Sequence, residues 1–112
     1  MPFTDQLHLC VQIDVSYNYI DQAGSLELIA AMKGKSMVSI GMACCSLGVE
    51  GAKVVAEYIS ATGSLTSLDL FNNNLHAEGA KVLAPAIRDS RSLTSLDLAD
   101  NGFGAEGAKA LV

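Results

Sequence analysis

Apolar positions along this chain switch between two spacings, and the switch recurs every 27 or 28 residues. Ile13 and Val15, Ile40 and Met42, Leu68 and Leu70, and Leu96 and Leu98 stand two apart. That spacing puts both members of a pair on one side of a short strand, facing a core. Further on the interval lengthens to helical, through Ala52, Val55 and Ile59, and again through Ala80, Leu83, Ala84 and Ile87. The period predicts four units, at about 9–35, 36–63, 64–91 and 92–112, the last shortened. Each unit is expected to run strand, turn, helix and return.

Aligned on this period, the columns keep their chemistry. Cys10, Met37, Leu65 and Leu93 open the units, and Ser64–Leu70 returns almost unchanged as Ser92–Leu98. Asn18, Cys45, Asn73 and Asn101 share a column where the chain leaves the strand. Backbone groups there lack a strand partner, so an Asn is expected to bond neighbouring turns and form a ladder, with Cys45 as a small, weak substitute. Ile20, Leu47, Leu75 and Phe103 follow. Glu50-Gly51-Ala52-Lys53, Glu78-Gly79-Ala80-Lys81 and Glu106-Gly107-Ala108-Lys109 read as helix starts, with the acid placed for the helix dipole. Pro85 is expected to kink or shorten its helix. In the first unit Ala23-Gly24-Ser25-Leu26 stands in place of the Glu-Gly-Ala-Lys block.

The pattern L-x-x-L-x-L-x-x-N/C-x-L resembles the leucine-rich repeat family, and specifically its ribonuclease-inhibitor-like class with long α/β repeats. The resemblance covers about 9–112. It implies a right-handed α/β solenoid, a horseshoe segment with a parallel sheet on the concave side and helices on the convex side. It also implies service as a protein-interaction module, as in ribonuclease inhibitors, intracellular immune receptors and signalling scaffolds.

Composition narrows the partners. The 112 residues fit a single domain, with a formal net charge of −5 and a pI near 4.7. An acidic surface without a Lys/Arg cluster argues against nucleic acid, and no apolar run approaches the ~20 residues of a membrane span. Met1-Pro2-Phe3-Thr4-Asp5 lacks the basic start of a signal peptide. Three cysteines, two of them adjacent at Cys44 and Cys45, do not suggest a disulfide framework. A reduced, cytoplasmic setting is expected. No polar capping unit precedes Cys10, and Val112 aligns with the helix interior, so both ends are expected to expose apolar surface. The chain then reads as a piece of a longer array, or as a small protein that covers its ends by self-association.

Candidate chemistry is sparse. Gly34-Lys35-Ser36 ends like a phosphate loop, but Ile29 stands where its first Gly belongs, so it reads as a helix stop. His8, His76, Cys44 and Cys45 belong to different units or face opposite ways, which argues against a metal site. No catalytic set and no cofactor are expected.

The strand face opposite the core is the better candidate. Its outward positions are Gln12, Asp14 and Ser16; Ser39, Gly41 and Ala43; Ser67, Asp69 and Phe71; Ser95, Asp97 and Ala99. Asp14, Asp69 and Asp97 form an acidic column broken at Gly41, and Phe71 is expected as an exposed anchor beside them. Tyr17 and Asn72 could extend the patch. The expected function is a non-catalytic scaffold binding another protein, basic in character, through Asp14, Ser67, Asp69, Phe71, Ser95 and Asp97. Two alternatives are a regulator of a small GTPase using Arg88 and Arg91 or an inhibitor of the ribonuclease-inhibitor type, and a structural fragment of a longer repeat protein.

Overall fold

The structure is a computed structural model that describes residues 12–112. Leu9 and Cys10 of the first unit, and His8, lie outside the described residues. Strand and helix alternate through the chain as β1 (Gln12–Asp14), α1 (Gln22–Met32), β2 (Ser39–Gly41), α2 (Gly48–Ala61), β3 (Ser67–Asp69), α3 (His76–Asp89), β4 (Ser95–Asp97) and α4 (Gly104–Leu111). The strands form one parallel sheet in the order β1-β2-β3-β4. Register follows the sequence columns: Ile13, Ile40, Leu68 and Leu96 are partners along one row, and Asp14, Gly41, Asp69 and Asp97 along the next. This is an α/β solenoid. Parallel strands lie ~4.8 Å apart and packed helices ~8–10 Å, so such a stack bends toward its sheet.

Neighbouring units share one core. Ile40, Met42, Leu47, Leu65, Leu68, Leu70 and Leu75 are buried in it, and Ile13, Val15, Leu96, Leu98 and Phe103 of the outer units are half-buried against it. The same column is therefore sealed in the middle and open on the outer face of unit 4. Pro85 departs from the expectation: α3 runs 14 residues through it, as long as α2. The ring stands on the exposed face, where the carbonyl one turn back can turn to water. The first helix does form, opened by Asp21, whose carboxylate accepts from the Gly24 N–H at 2.8 Å.

The polar residues of the repeat stitch each unit to the one before. Ser64 Oγ and Thr66 Oγ1 donate to the Met37 and Val38 carbonyls, and Ser92 and Thr94 do the same to Leu65 and Thr66. Asn73 goes further. Its Oδ1 accepts from the Cys45 and Leu47 N–H groups at 2.9 and 3.3 Å, and its Nδ2 donates to the Met42 and Phe71 carbonyls. Asn101 repeats this one unit on, accepting from Asn73 and Leu75 and donating to Leu70. The cradle for each Asn is a turn with left-handed residues on both sides: Cys44 and Ser46, then Asn72 and Asn74. Such alternation aims successive N–H groups at one oxygen.

The ladder is incomplete where the sequence expected four rungs. Cys45 is buried, but its Sγ lies 3.9 Å from the Val15 carbonyl, where Asn73 and Asn101 make bonds of 2.8 and 2.9 Å to their counterparts. A thiol is too weak a donor and acceptor to replace an amide. Ser25 Oγ compensates in part, donating to the Cys45 carbonyl at 2.6 Å. Asn18 is exposed and, among the described residues, its side chain bonds its own turn, at Val15 and Ser16. Cys45→Asn is therefore expected to add stability, by about 1 kcal/mol, because it supplies amide bonds to unit 1. Urea denaturation of the two proteins side by side checks this.

Candidate protein-binding face

The sheet face opposite the core is built from the row Asp14, Gly41, Asp69 and Asp97 and its neighbours. Each carboxylate has a local duty. The backbone N–H two residues on donates to it, Ser16 to Asp14, Phe71 to Asp69 and Ala99 to Asp97, each at 3.0 Å. One oxygen of each acid thus ends its strand in an Asx turn. The donated bonds, from the Ser16 N–H first and its hydroxyl second, hold the Asp14 carboxyl below the usual range. A depressed carboxyl supports the fold above its unfolded pKa and loses that support as pH falls through the folded one.

Gly41 is not a gap in this row. A Cβ there would come within 2.6 Å of Asp14 Oδ1 and 3.2 Å of Ser16 Oγ, so the side chains of unit 1 lean over it. Ser16 Oγ accepts from the Ala43 N–H at 2.9 Å, the bond that an Asp at position 41 would otherwise take. The neighbouring unit caps the strand that lacks its own acid.

Phe71 departs from the expectation of an exposed anchor, because it is half-buried. Its ring meets Tyr17 at 6.4 Å between centroids and a 44° tilt. Tyr17 belongs to unit 1 and Phe71 to unit 3, so the pair spans unit 2, where Gly41 and Ala43 are small and buried. Tyr17 itself is 58% exposed. Partial desolvation first, and then Cys44, Asp69, Asp97 and Tyr19, raise its phenol pKa, so it remains a neutral donor over the face. Tilted rings at this distance attract modestly.

Charge is segregated across the molecule. All seven Lys and Arg residues (Lys33, Lys35, Lys53, Lys81, Arg88, Arg91 and Lys109) lie on helices or in helix-to-strand loops, and none lies on the strands. The ion pairs among the described residues, Glu50–Lys53 and Glu78–Lys81, are on the helices. Asp69 and Asp97 stand in register with no cation beside them on the sheet. Ser67 and Ser95 sit one row before, half-buried and exposed. Gly34 has φ +80 just past α1, which makes Gly34-Lys35-Ser36 a helix stop. Among the described residues no group of His, Cys, Asp and Glu could hold a metal, and burial raises the pKa of the Cys45 thiol. No helix of the described chain is long and apolar enough to cross a membrane.

Parallel strands in register, backed by helices and stitched by buried Asn side chains, define a repeat solenoid. Residues 64–84 and 89–112 match the family model described as Leucine Rich repeat. These two units are thus leucine-rich repeats, a family whose domains generally mediate contact between proteins. No curated protein matches the chain. The matched units are those with Asn72, Asn74, Asp100 and Gly102 at the left-handed positions, residues that tolerate such geometry. The second unit has Cys44 and Ser46 there, and the first has Tyr17 and Tyr19.

Proposed function

We propose that this chain is a non-catalytic scaffold of the ribonuclease-inhibitor-like class, acting in a reducing cytoplasm, and that it holds a basic protein against its sheet face. The segregation of charge carries this reading: carboxylates stand in register on the sheet, and every cation is elsewhere. Each Asp spends one oxygen on its strand end and keeps another for a partner. Like charges side by side weaken a sheet unless a cation neutralises them, and an arriving Lys or Arg does so. Tyr17 and Phe71 supply an aromatic rim on which an Arg can stack. Arg88 and Arg91 lie in and after the last turn of α3, off the strands that carry Asp69 and Asp97.

The test separates binding from folding. Asp69→Asn with Asp97→Asn keeps an oxygen for the Phe71 and Ala99 N–H groups and removes only the charge. The pair is expected to leave the unfolding midpoint nearly unchanged. Affinity for a nona-arginine peptide, measured by calorimetry at low and physiological salt, is expected to fall at least tenfold. Equal binding by wild type and variant would refute the acidic face as the site.

A further inference from the structure

A cleft interrupts the repeat between the first two helices. α1 has 11 residues where α2 and α3 have 14, and beside the last turn of α2 a hollow of about 290 Å³ opens toward solvent. Its walls come from both units, so it does not depend on either end of the chain. The buried Ile29 and Tyr58 and the half-buried Val54 line it, and the Gly34-Lys35-Ser36 loop closes one side with Lys33 next to it. An apolar lining with a few polar groups at the rim is what small-molecule sites combine, and the volume is close to the lower end of their range.

The residues that build the cleft are those in which this joint departs from its repeats. Tyr58 stands where unit 3 has Ala86. Its hydroxyl donates to the Lys35 carbonyl at 2.8 Å and accepts from the Met37 N–H at 3.3 Å, which pins the lysine-bearing loop against α2. Lys33 and Lys35 stand where unit 2 has Ala61 and Gly63. Lys33, at the end of α1, also suits the helix dipole, but that effect fades within the last turn and Lys35 lies beyond it. The Ala30, Met32 and Tyr58 carbonyls at the helix ends already accept from the Lys33, Lys35 and Thr62 N–H groups. Glu57 is the acid among the lining residues, and among the described residues neither lysine is in an ion pair.

In a chain of net charge −5, this cleft therefore sets two cations against one acid. We propose that it binds a small amphipathic anion, a carboxylate carried on an alkyl chain or an aromatic ring. The apolar body lies on Ile29, Val54 and Tyr58, and the carboxylate sits between the Lys33 and Lys35 ammonium groups. The proposal is independent of the sheet-face reading, which uses other residues.

Titration of sodium octanoate into the full chain, followed by amide NMR shifts, tests it, with octanol and octylammonium as uncharged and cationic controls. The expected result is saturable shifts at Gly34, Ser36, Thr62 and Gly63, with octanoate bound at least tenfold more tightly than either control. Lys33→Gln with Lys35→Gln, both at exposed positions, is expected to weaken octanoate at least tenfold and to leave octanol unchanged. Lys53→Gln with Lys81→Gln makes the same change in net charge away from the cleft and is expected to leave octanoate binding unchanged. Absence of saturable binding, octanoate bound no more tightly than the controls, or equal loss in the two double variants would each overturn the proposal. So would shifts confined to Leu96, Leu98 and Phe103, which would place the probe on the half-buried side chains of unit 4 instead.

Discussion

Asn73→Ala is expected to remove most of the stability of this protein. The side chain is fully buried and satisfies four backbone groups: the Cys45 and Leu47 N–H groups and the Met42 and Phe71 carbonyls. Alanine strands the Cys45 and Leu47 N–H groups and the Met42 carbonyl, while the Phe71 carbonyl keeps the Cys44 N–H at 2.9 Å, and each buried unsatisfied group costs roughly 1–3 kcal/mol. Water entering the vacancy recovers part of this, which leaves a loss of about 3–5 kcal/mol. Domains hold only about 5–15 kcal/mol in total, and a four-unit solenoid with half-buried outer units sits low in that range. Asn18→Ala in the same column is expected to cost less than about 1 kcal/mol, because its bonds are local and exposed. Chemical denaturation followed by circular dichroism measures both. Equal losses at the two positions would mean that the ladder does not join the units.

The second large effect concerns one residue type in one column. Leu70 is 0% exposed between units 2 and 4, whereas Leu98 packs on unit 3 and is half-buried. Leu70→Ala is expected to cost about 3–4 kcal/mol, the transfer of the lost methyl groups plus the cavity they leave. Leu98→Ala should cost about 1–2 kcal/mol, because solvent already reaches the site and no closed cavity forms. The difference between the two midpoints measures what one neighbouring unit contributes. Indistinguishable losses would contradict a core built by stacking.

Much of the fold was legible because its period is written twice, in apolar and in polar residues. Leu68 and Leu96 had to be partners once their columns matched, and the register bears this out. Pro85 misled because its effect depends on which helix face it occupies, which the local pattern does not state. The ladder was legible as an Asn column, but its direction was not: each Asn serves the unit before it, and that emerges only when the units are stacked. The Ser and Thr hydroxyls that bond Met37, Val38, Leu65 and Thr66 went unread, although Ser64/Ser92 and Thr66/Thr94 recur as faithfully as the leucines. A recurring polar residue beside a strand is itself a signal of stitching.

The candidate face was half legible. Spacing placed Asp14, Asp69 and Asp97 on it, and an Asp that ends a strand and accepts from the N–H two residues on is a turn-former. The filling of the Gly41 position by Asp14 and Ser16 needed three dimensions, as did the meeting of Tyr17 and Phe71 across unit 2. Contacts between units two repeats apart leave no spacing to read.

The claim on which the rest depends is that the turn amides are held by Asn oxygens from the following unit. Hydrogen exchange of individual amides in dilute protein tests it directly. The Cys45, Leu47, Asn73 and Leu75 amides should exchange only on global unfolding, while Asn101 and Phe103, with the same backbone geometry, exchange orders of magnitude faster. Equal rates in the two groups would contradict the account, since backbone geometry alone would then explain the turns and the Asn column would have no part in joining the units.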